Sequence, residues 1–158
     1  MKVIVLGCGR VGAHLAGFLL DRGNQVTVVD RNPKAFRLLN DEFAEGGAEA
    51  GSAGGVGRVL RTQRGIRCVL GVGIDEEVLH AAGIEGAEAF AAVTDNDYTN
   101  IMASVMAKEI YRVPRVIARI TDPQRERIFH EMGIETICPT TLGARSIVDQ
   151  LEIAPGGH

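Results

Sequence analysis

Lys2-Val3-Ile4-Val5-Leu6-Gly7-Cys8-Gly9-Arg10-Val11-Gly12 is the stretch whose reading decides the fold. Its β-branched apolar run reads as a buried strand that stops at Gly7. Val11 to Leu20 then carries apolar residues at helical spacing. Between strand and helix the glycines fall at 7, 9 and 12, the G-x-G-x-x-G spacing. Gly7 permits a tight turn, Gly9 leaves bare backbone for a pyrophosphate, and Gly12 lets the helix pack closely on the strand. The helix start adds unpaired N–H groups and the positive end of a dipole. The pattern has its second half in Gln25-Val26-Thr27-Val28-Val29, a strand closed by Asp30, 18 residues past Gly12. A carboxylate there accepts hydrogen bonds from ribose hydroxyls. The two halves together point to a nucleotide.

Outward from this unit the chain keeps alternating. Asn32-Pro33 starts a helix that fades near Asn40. From about 44 to 64 the composition turns Gly/Ala-rich, with six glycines between 46 and 57, and reads as a flexible surface insertion with a short ordered piece around Val59-Leu60. Its arginines 58, 61 and 64 read as solvated loop charges, with phosphate or partner binding as the alternative. Further strands are expected at Ile66–Leu70, Ala89–Val93, Arg115–Arg119 and Glu135–Cys138. Helices are expected from Asp75 to Ala82, from about Tyr98 to Tyr111, from Asp122-Pro123 to Gly133 and from about 140 to 151, with 152–158 fraying. The fold class that follows is α/β: a Rossmann-like, doubly wound, six-stranded parallel sheet in the order 3-2-1-4-5-6, with helices on both faces.

Composition bounds the function. The chain has 158 residues, 46% apolar and 23% charged, enough for one domain with a proper core. Trp is absent, so the core is expected to be Val, Ile, Leu and Ala. Seventeen basic against 20 acidic residues give −3, and no basic block stands out, which argues against nucleic acid or an acidic membrane surface as partner. Three widely spaced cysteines, 8, 68 and 138, suit neither a disulfide framework nor a metal knuckle and favour a reduced cytosolic setting. No apolar run reaches the roughly 18 residues of a membrane span, and the N-terminus opens directly on a strand with no secretory segment before it. A soluble intracellular protein is expected.

Ligands on such a sheet lie at the carboxyl ends of its strands. The candidate binding residues gather there: Gly7, Cys8, Gly9, Arg10, Val11 and Gly12 for phosphate, Asp30 for ribose, Arg31 with Gly71, Val72 and Gly73 flanking the base, and Thr94, Asp95, Asn100 and Arg119 around them. Arg10 reaches a phosphate of its own subunit or of a neighbour. Other readings stand beside these: Thr94 as a strand end, Asn100 as an ordinary helix-surface residue, Cys8 as a small space-filler. Asp95 and Asp97 fit a helix cap better than a divalent cation site. Catalysis is harder to find. No Tyr-x-x-x-Lys pair is present, and His14, His80 and His130 fall on separate helices. No catalytic residue and no metal is assigned.

In its run of motifs the chain resembles the cytoplasmic potassium-transport regulators, in the N-terminal domain called RCK (regulator of conductance of potassium) or KTN, as in Trk-type uptake systems. The resemblance covers about 1–43 and 66–151. It rests on Val3 to Gly12, Val28-Val29-Asp30-Arg31-Asn32-Pro33, Glu77 to Ile84, Ala92 to Asp97 with Asn100, Pro114 to Arg119, and Met132-Gly133-Ile134 followed by Pro139. It implies a non-enzymatic regulatory subunit that binds NAD(H) or an adenine nucleotide (ATP, ADP or AMP). Such a subunit forms a homodimer or a ring and acts on a membrane potassium-translocating subunit from the inner face of the membrane. By the same resemblance Arg10 reaches terminal phosphates and the helix at about 140–151 crosses to a dimer partner. Three features depart from the family. The turn after the third strand often reads Gly-Asp and here reads Gly71-Val72; the 44–64 insertion is long; and many members continue into a second, ligand-sensing domain, so a second RCK-type chain is a further expected partner. Two other classes fit the glycine loop: a small NAD-dependent oxidoreductase needing a partner's substrate domain, and an oligomerising scaffold with a vestigial site.

Overall fold

Alternation along β1 (Lys2–Leu6) divides the core into two layers. Ile4 and Leu6 face one side of the sheet with Val29, Val69 and Phe90, whereas Val3 and Val5 face the other with Val26, Val28 and Cys68. In this computed structural model, which describes residues 1–39, 49–50, 57–62 and 64–153, β1 pairs in parallel with β2 (Gln25–Asp30) and β6 (Ala89–Ala92). β5 (Arg67–Leu70) lies outside β2, and β7 (Arg115–Arg119) and β8 (Glu135–Ile137) follow β6, all parallel. These six strands stand in the expected order 3-2-1-4-5-6.

Among the described residues the sheet has eight strands, not six. β3 (Glu49–Ala50) and β4 (Arg58–Arg61) extend the β5 edge in antiparallel pairing. The short ordered piece expected around Val59-Leu60 is β4, whereas the reading of 44–64 as a flexible loop is corrected at 49–50; positions 44–48, 51–56 and 63 lie outside the described residues, as does the tail from 154. The cause is a tight connection. Thr62 N–H donates to the Ile66 carbonyl (2.8 Å) and the Thr62 hydroxyl accepts from Ile66 N–H (3.0 Å), which folds β4 back onto β5. Arg64 is not a loose loop charge either, since it pairs with Asp21 at the end of α1 (Arg10–Asp21).

Short polar side chains start most of the other helices. Asp75 caps α2 (Glu76–Ala81), Asn96 caps α3 (Asp97–Val105) and Asp122 caps α4 (Pro123–Glu131), each accepting one N–H at 2.9 Å. The helix expected from Asn32-Pro33 opens as a 3-10 turn, Pro33–Phe36. The helix expected to reach Tyr111 widens after Val105 into a π turn, Met106–Ile110, where Tyr111 N–H bonds back to the Met106 carbonyl. α2 and α3 cover one face of the sheet, and α1 covers part of the other. Beside α1 the described residues leave that second face open. Val11, Leu15 and Leu19 wall a groove of about 360 Å³ floored by Val3, Ala89, Ala91, Ile117 and Ile137. The last helix, α5 (Pro139–Glu152), has no buried residue.

Two glycines set where α1 begins. Gly7 sits at φ +104°, and a Cβ there would lie 2.9 Å from the Thr94 nitrogen. A Cβ on Gly12 would lie 1.8 Å from the Gly7 carbonyl oxygen, whereas one on Gly9 would meet nothing within 4 Å. Gly12→Ala is therefore expected to cost roughly 3 kcal/mol of stability through overpacking. Gly9→Ala should cost about 1 kcal/mol or less. Thermal unfolding followed by circular dichroism checks the contrast, and equal midpoints would refute it.

Candidate nucleotide site

The carboxyl ends of β1, β2, β5 and β6 open into a crevice with two lobes. One, of about 500 Å³, lies over the glycine loop and is lined by Gly7, Gly9, Arg10, Val11, Asp30, Arg31, Thr94, Asp95 and Arg119. The other, of about 320 Å³, continues toward Gly71, Val72 and Gly73. Gly7, Asp30, Arg31, Thr94 and Asp95 border both. The first N–H groups of α1 have no carbonyl one turn behind them within the helix, and no side chain caps them.

Asp30 is half-buried, and it holds the loop in place. One of its oxygens accepts from Cys8 N–H and the other from Asn32 N–H, both at 2.8 Å. Each oxygen keeps a second lone pair for a ribose hydroxyl. Arg10 and Arg31 are exposed. Arg119 is half-buried, and its Nε is a buried donor with no hydrogen-bond partner among the described residues.

Three of the sequence candidates stand behind the crevice wall instead of lining it. Gly12 packs on Gly7. Cys8 is buried, its Sγ 3.4 Å from the Ala35 carbonyl; burial, with Cys68 and Asp30 nearby, pushes its thiol well above the ordinary range. Cys68 is pushed up to about 12 by burial. Both thiols stay protonated and inert at neutral pH, so Cys8 fills space. Asn100 is fully buried, which displaces its reading as a helix-surface residue. Its Oδ1 accepts from Thr94 N–H (2.9 Å) and from the Thr94 hydroxyl (2.6 Å). Its Nδ2 donates to the Thr94 and Arg119 carbonyls, both at 2.9 Å. Asn100 thus positions the ends of β6 and β7, with its amide already engaged. Asn32 and Ala35 in the first lobe and Asn96 and Thr99 in the second were not anticipated. The one signal for them was their place next to helix caps.

The TrkA-N domain model matches residues 3–51 and 58–139, the greater part of the sequence. The chain belongs to that family. The Trk system potassium uptake protein TrkA of Streptomyces coelicolor is 38% identical over 159 residues, covering 99% of this chain and 60% of that one. The chain therefore spans about three fifths of that relative's length. Among solved structures, the TrkA-N domain of inner membrane protein ybaL from Escherichia coli superposes with a TM-score of 0.74 at 22% identity, covering 96% of each chain. GsuK has been solved bound to ADP (TM-score 0.69, 20% identity, 96% of this chain and 34% of that one). It has also been solved bound to NAD (0.62, 16%, 87% and 21%). At these identities the structures show a shared fold.

In this TrkA-N chain the Thr94-Asp95-Asn96-Asp97 run acts as a fastening. Asn96 is the cap of α3, and Asp97, 4% exposed, accepts from Thr121 N–H (2.8 Å), the Thr121 hydroxyl (2.9 Å) and Asp122 N–H (3.3 Å), with Arg125 at 3.5 Å. Among the described residues no three His, Cys, Asp or Glu side chains group to hold a metal ion. Burial alone would raise the Asp97 carboxyl, but the Thr121 and Asp122 hydrogen bonds and Arg125 outweigh it and hold the pKa below the ordinary value. With the folded pKa depressed, the stabilisation is present above the unfolded value of about 3.9 and is lost as pH falls through the folded pKa. Asp97→Asn is expected to cost about 2 kcal/mol at pH 7 and to flatten the acid limb of the stability curve. Urea unfolding from pH 7 down to pH 3 checks it; parallel curves for the two proteins would refute the assignment.

Proposed function

We propose that this domain is a regulatory nucleotide-binding subunit of a potassium uptake or channel system. In this reading residues 1–151 form one domain that binds NAD(H) or an adenine nucleotide (ATP, ADP or AMP) in the crevice. It acts on a membrane potassium-translocating partner from the cytoplasmic side. The observation that carries the reading is the joining of the glycine loop, Asp30 and three arginines, 10, 31 and 119, in one cleft of a TrkA-N chain. Backbone N–H groups and arginines suit phosphates, and the unpartnered Nε of Arg119 gains an acceptor when an anion enters. Asp30 suits a ribose with free hydroxyls and repels a 2′-phosphate. These groups bind and orient; Cys8, the one thiol at the loop, is protonated and enclosed, which supports a regulator over an enzyme. Among the described residues no helix is long and apolar enough to cross a membrane; in this reading the partner supplies the membrane-spanning part.

Occupancy has a physical route to assembly. Val11 and Val93 border both the nucleotide crevice and the apolar groove beside α1. The exposed α5 carries Ala144, Ile147, Val148 and Leu151 at i, i+3, i+4 and i+7, a helical stripe that the described residues leave unburied. In a homodimer each α5 seats in the groove of the other subunit, so a nucleotide that shifts the start of α1 reshapes the seat of the partner's helix. Nucleotides that prefer different arrangements then shift the population between them.

Titration calorimetry with ATP, ADP, NAD+ and NADH, with light scattering on each state, tests the reading. Tight binding of one or two of these, with a change in assembly and no consumption of NADH, is expected, and Arg10→Ala should weaken ATP about tenfold more than NAD+. Failure of all four to bind would overturn it. Separately, Leu151→Asp should yield monomers by light scattering with an unchanged circular dichroism spectrum; an unchanged mass would exclude α5 as the dimer element.

A further inference from the structure

A cavity of about 690 Å³ lies at the other end of the sheet, at the amino ends of the strands. It is bordered by the starts of β1 and β2 and by the hairpin between β4 and β5, and its floor runs along Gly83 to Ala87 after α2. Sheets of this class take their nucleotide at the carboxyl ends, so this cleft is no part of the crevice described above.

Its charges are arranged at a cost. The register of β4 on β5 sets Arg61 directly opposite Arg67, and side chains so paired share a face. Like charges directly opposed across a strand pair destabilise a sheet. Both arginines line the cleft, with Lys2 bordering it from β1. Of the nearby carboxylates, Glu85 lines the same cleft with His80 at 3.4 Å, Glu88 accepts from the Lys2 N–H at 2.7 Å, and Asp21 pairs with Arg64. Neither Arg61 nor Arg67 has an ion-pair partner among the described residues. Asn24, Gln25 and Thr27 add polar groups to the same wall. A chain with three more acidic than basic residues has thus placed opposed cations around a concave space of small-molecule size.

We propose that this basal cleft is a second ligand site, which clamps a small multivalent oxyanion, bearing phosphate or carboxylate groups, between Arg61, Arg67 and Lys2. The anion relieves the repulsion across β4 and β5, and each guanidinium offers two parallel N–H donors to it. This site stands independently of the nucleotide reading and would survive its failure.

The test is a ¹H–¹⁵N titration of the full chain with inorganic pyrophosphate and, separately, with tricarballylate, at constant ionic strength. Saturable shifts of the Arg67, Gly83 and Gly86 amides are expected with at least one probe, and which probe saturates tells a phosphate source from a carboxylate one. The Arg61→Gln/Arg67→Gln double variant should bind that probe roughly tenfold to a hundredfold more weakly. Its response at Gly7 to Gly12 should be unchanged. Three results would overturn the proposal: shifts confined to Gly7 to Gly12, drift of all exposed amides without saturation, or equal binding by a folded double variant.

Discussion

The approach of α1 to the glycine loop leaves no room for a side chain at Gly12, whose added Cβ would lie 1.8 Å from the Gly7 carbonyl oxygen. Because the helix begins that close, its first N–H groups open beside the end of β1, and its apolar residues reach the core formed by Val3, Val5 and Val28. The same loop is tied to β2 through Asp30 and to β6 through the tight fit of Gly7 on Thr94. Binding surface and core packing therefore share one set of atoms. A change that loosened the loop would act on both.

A second fastening holds the far wall. Asn100 joins the ends of β6 and β7 through four hydrogen bonds, and Asp97 gathers the turn at Thr121 and Asp122. Both are buried polar groups with good partners, the condition under which such groups stabilise a structure. They come from the first turn of α3, so one short segment orders the ends of two strands, β6 and β7, beside the crevice. Thr94 and Asp95, which border both lobes, are left where a ligand would meet them.

The parallel strands and their order were legible because β-branched runs alternate with capped helices, and because G-x-G-x-x-G followed by Asp30 occurs in few other settings. The β3–β4 hairpin was not. Apart from an ordered piece at Val59-Leu60, its residues lie in a glycine-rich tract whose composition reads as loop, and β4 becomes strand on the edge that β5 offers. Nor could the burial of Asn100 be read, since an asparagine on a helix is ordinarily a surface residue; its setting depends on Arg119, distant in sequence. The engagement of Asp30 with backbone N–H groups, beyond its role toward ribose, likewise needed the folded loop.

The ends of the sheet bear on how copies of this chain meet. Among the described residues one edge carries β3, two residues long, and the other β8, three residues long. Strands that short offer few backbone groups as a template for another strand. Growth by strand addition, the route by which exposed sheet edges recruit further chains into fibres, has almost nothing to start from here. A contact made through side-chain surfaces, by contrast, forms and parts without breaking the backbone ladder.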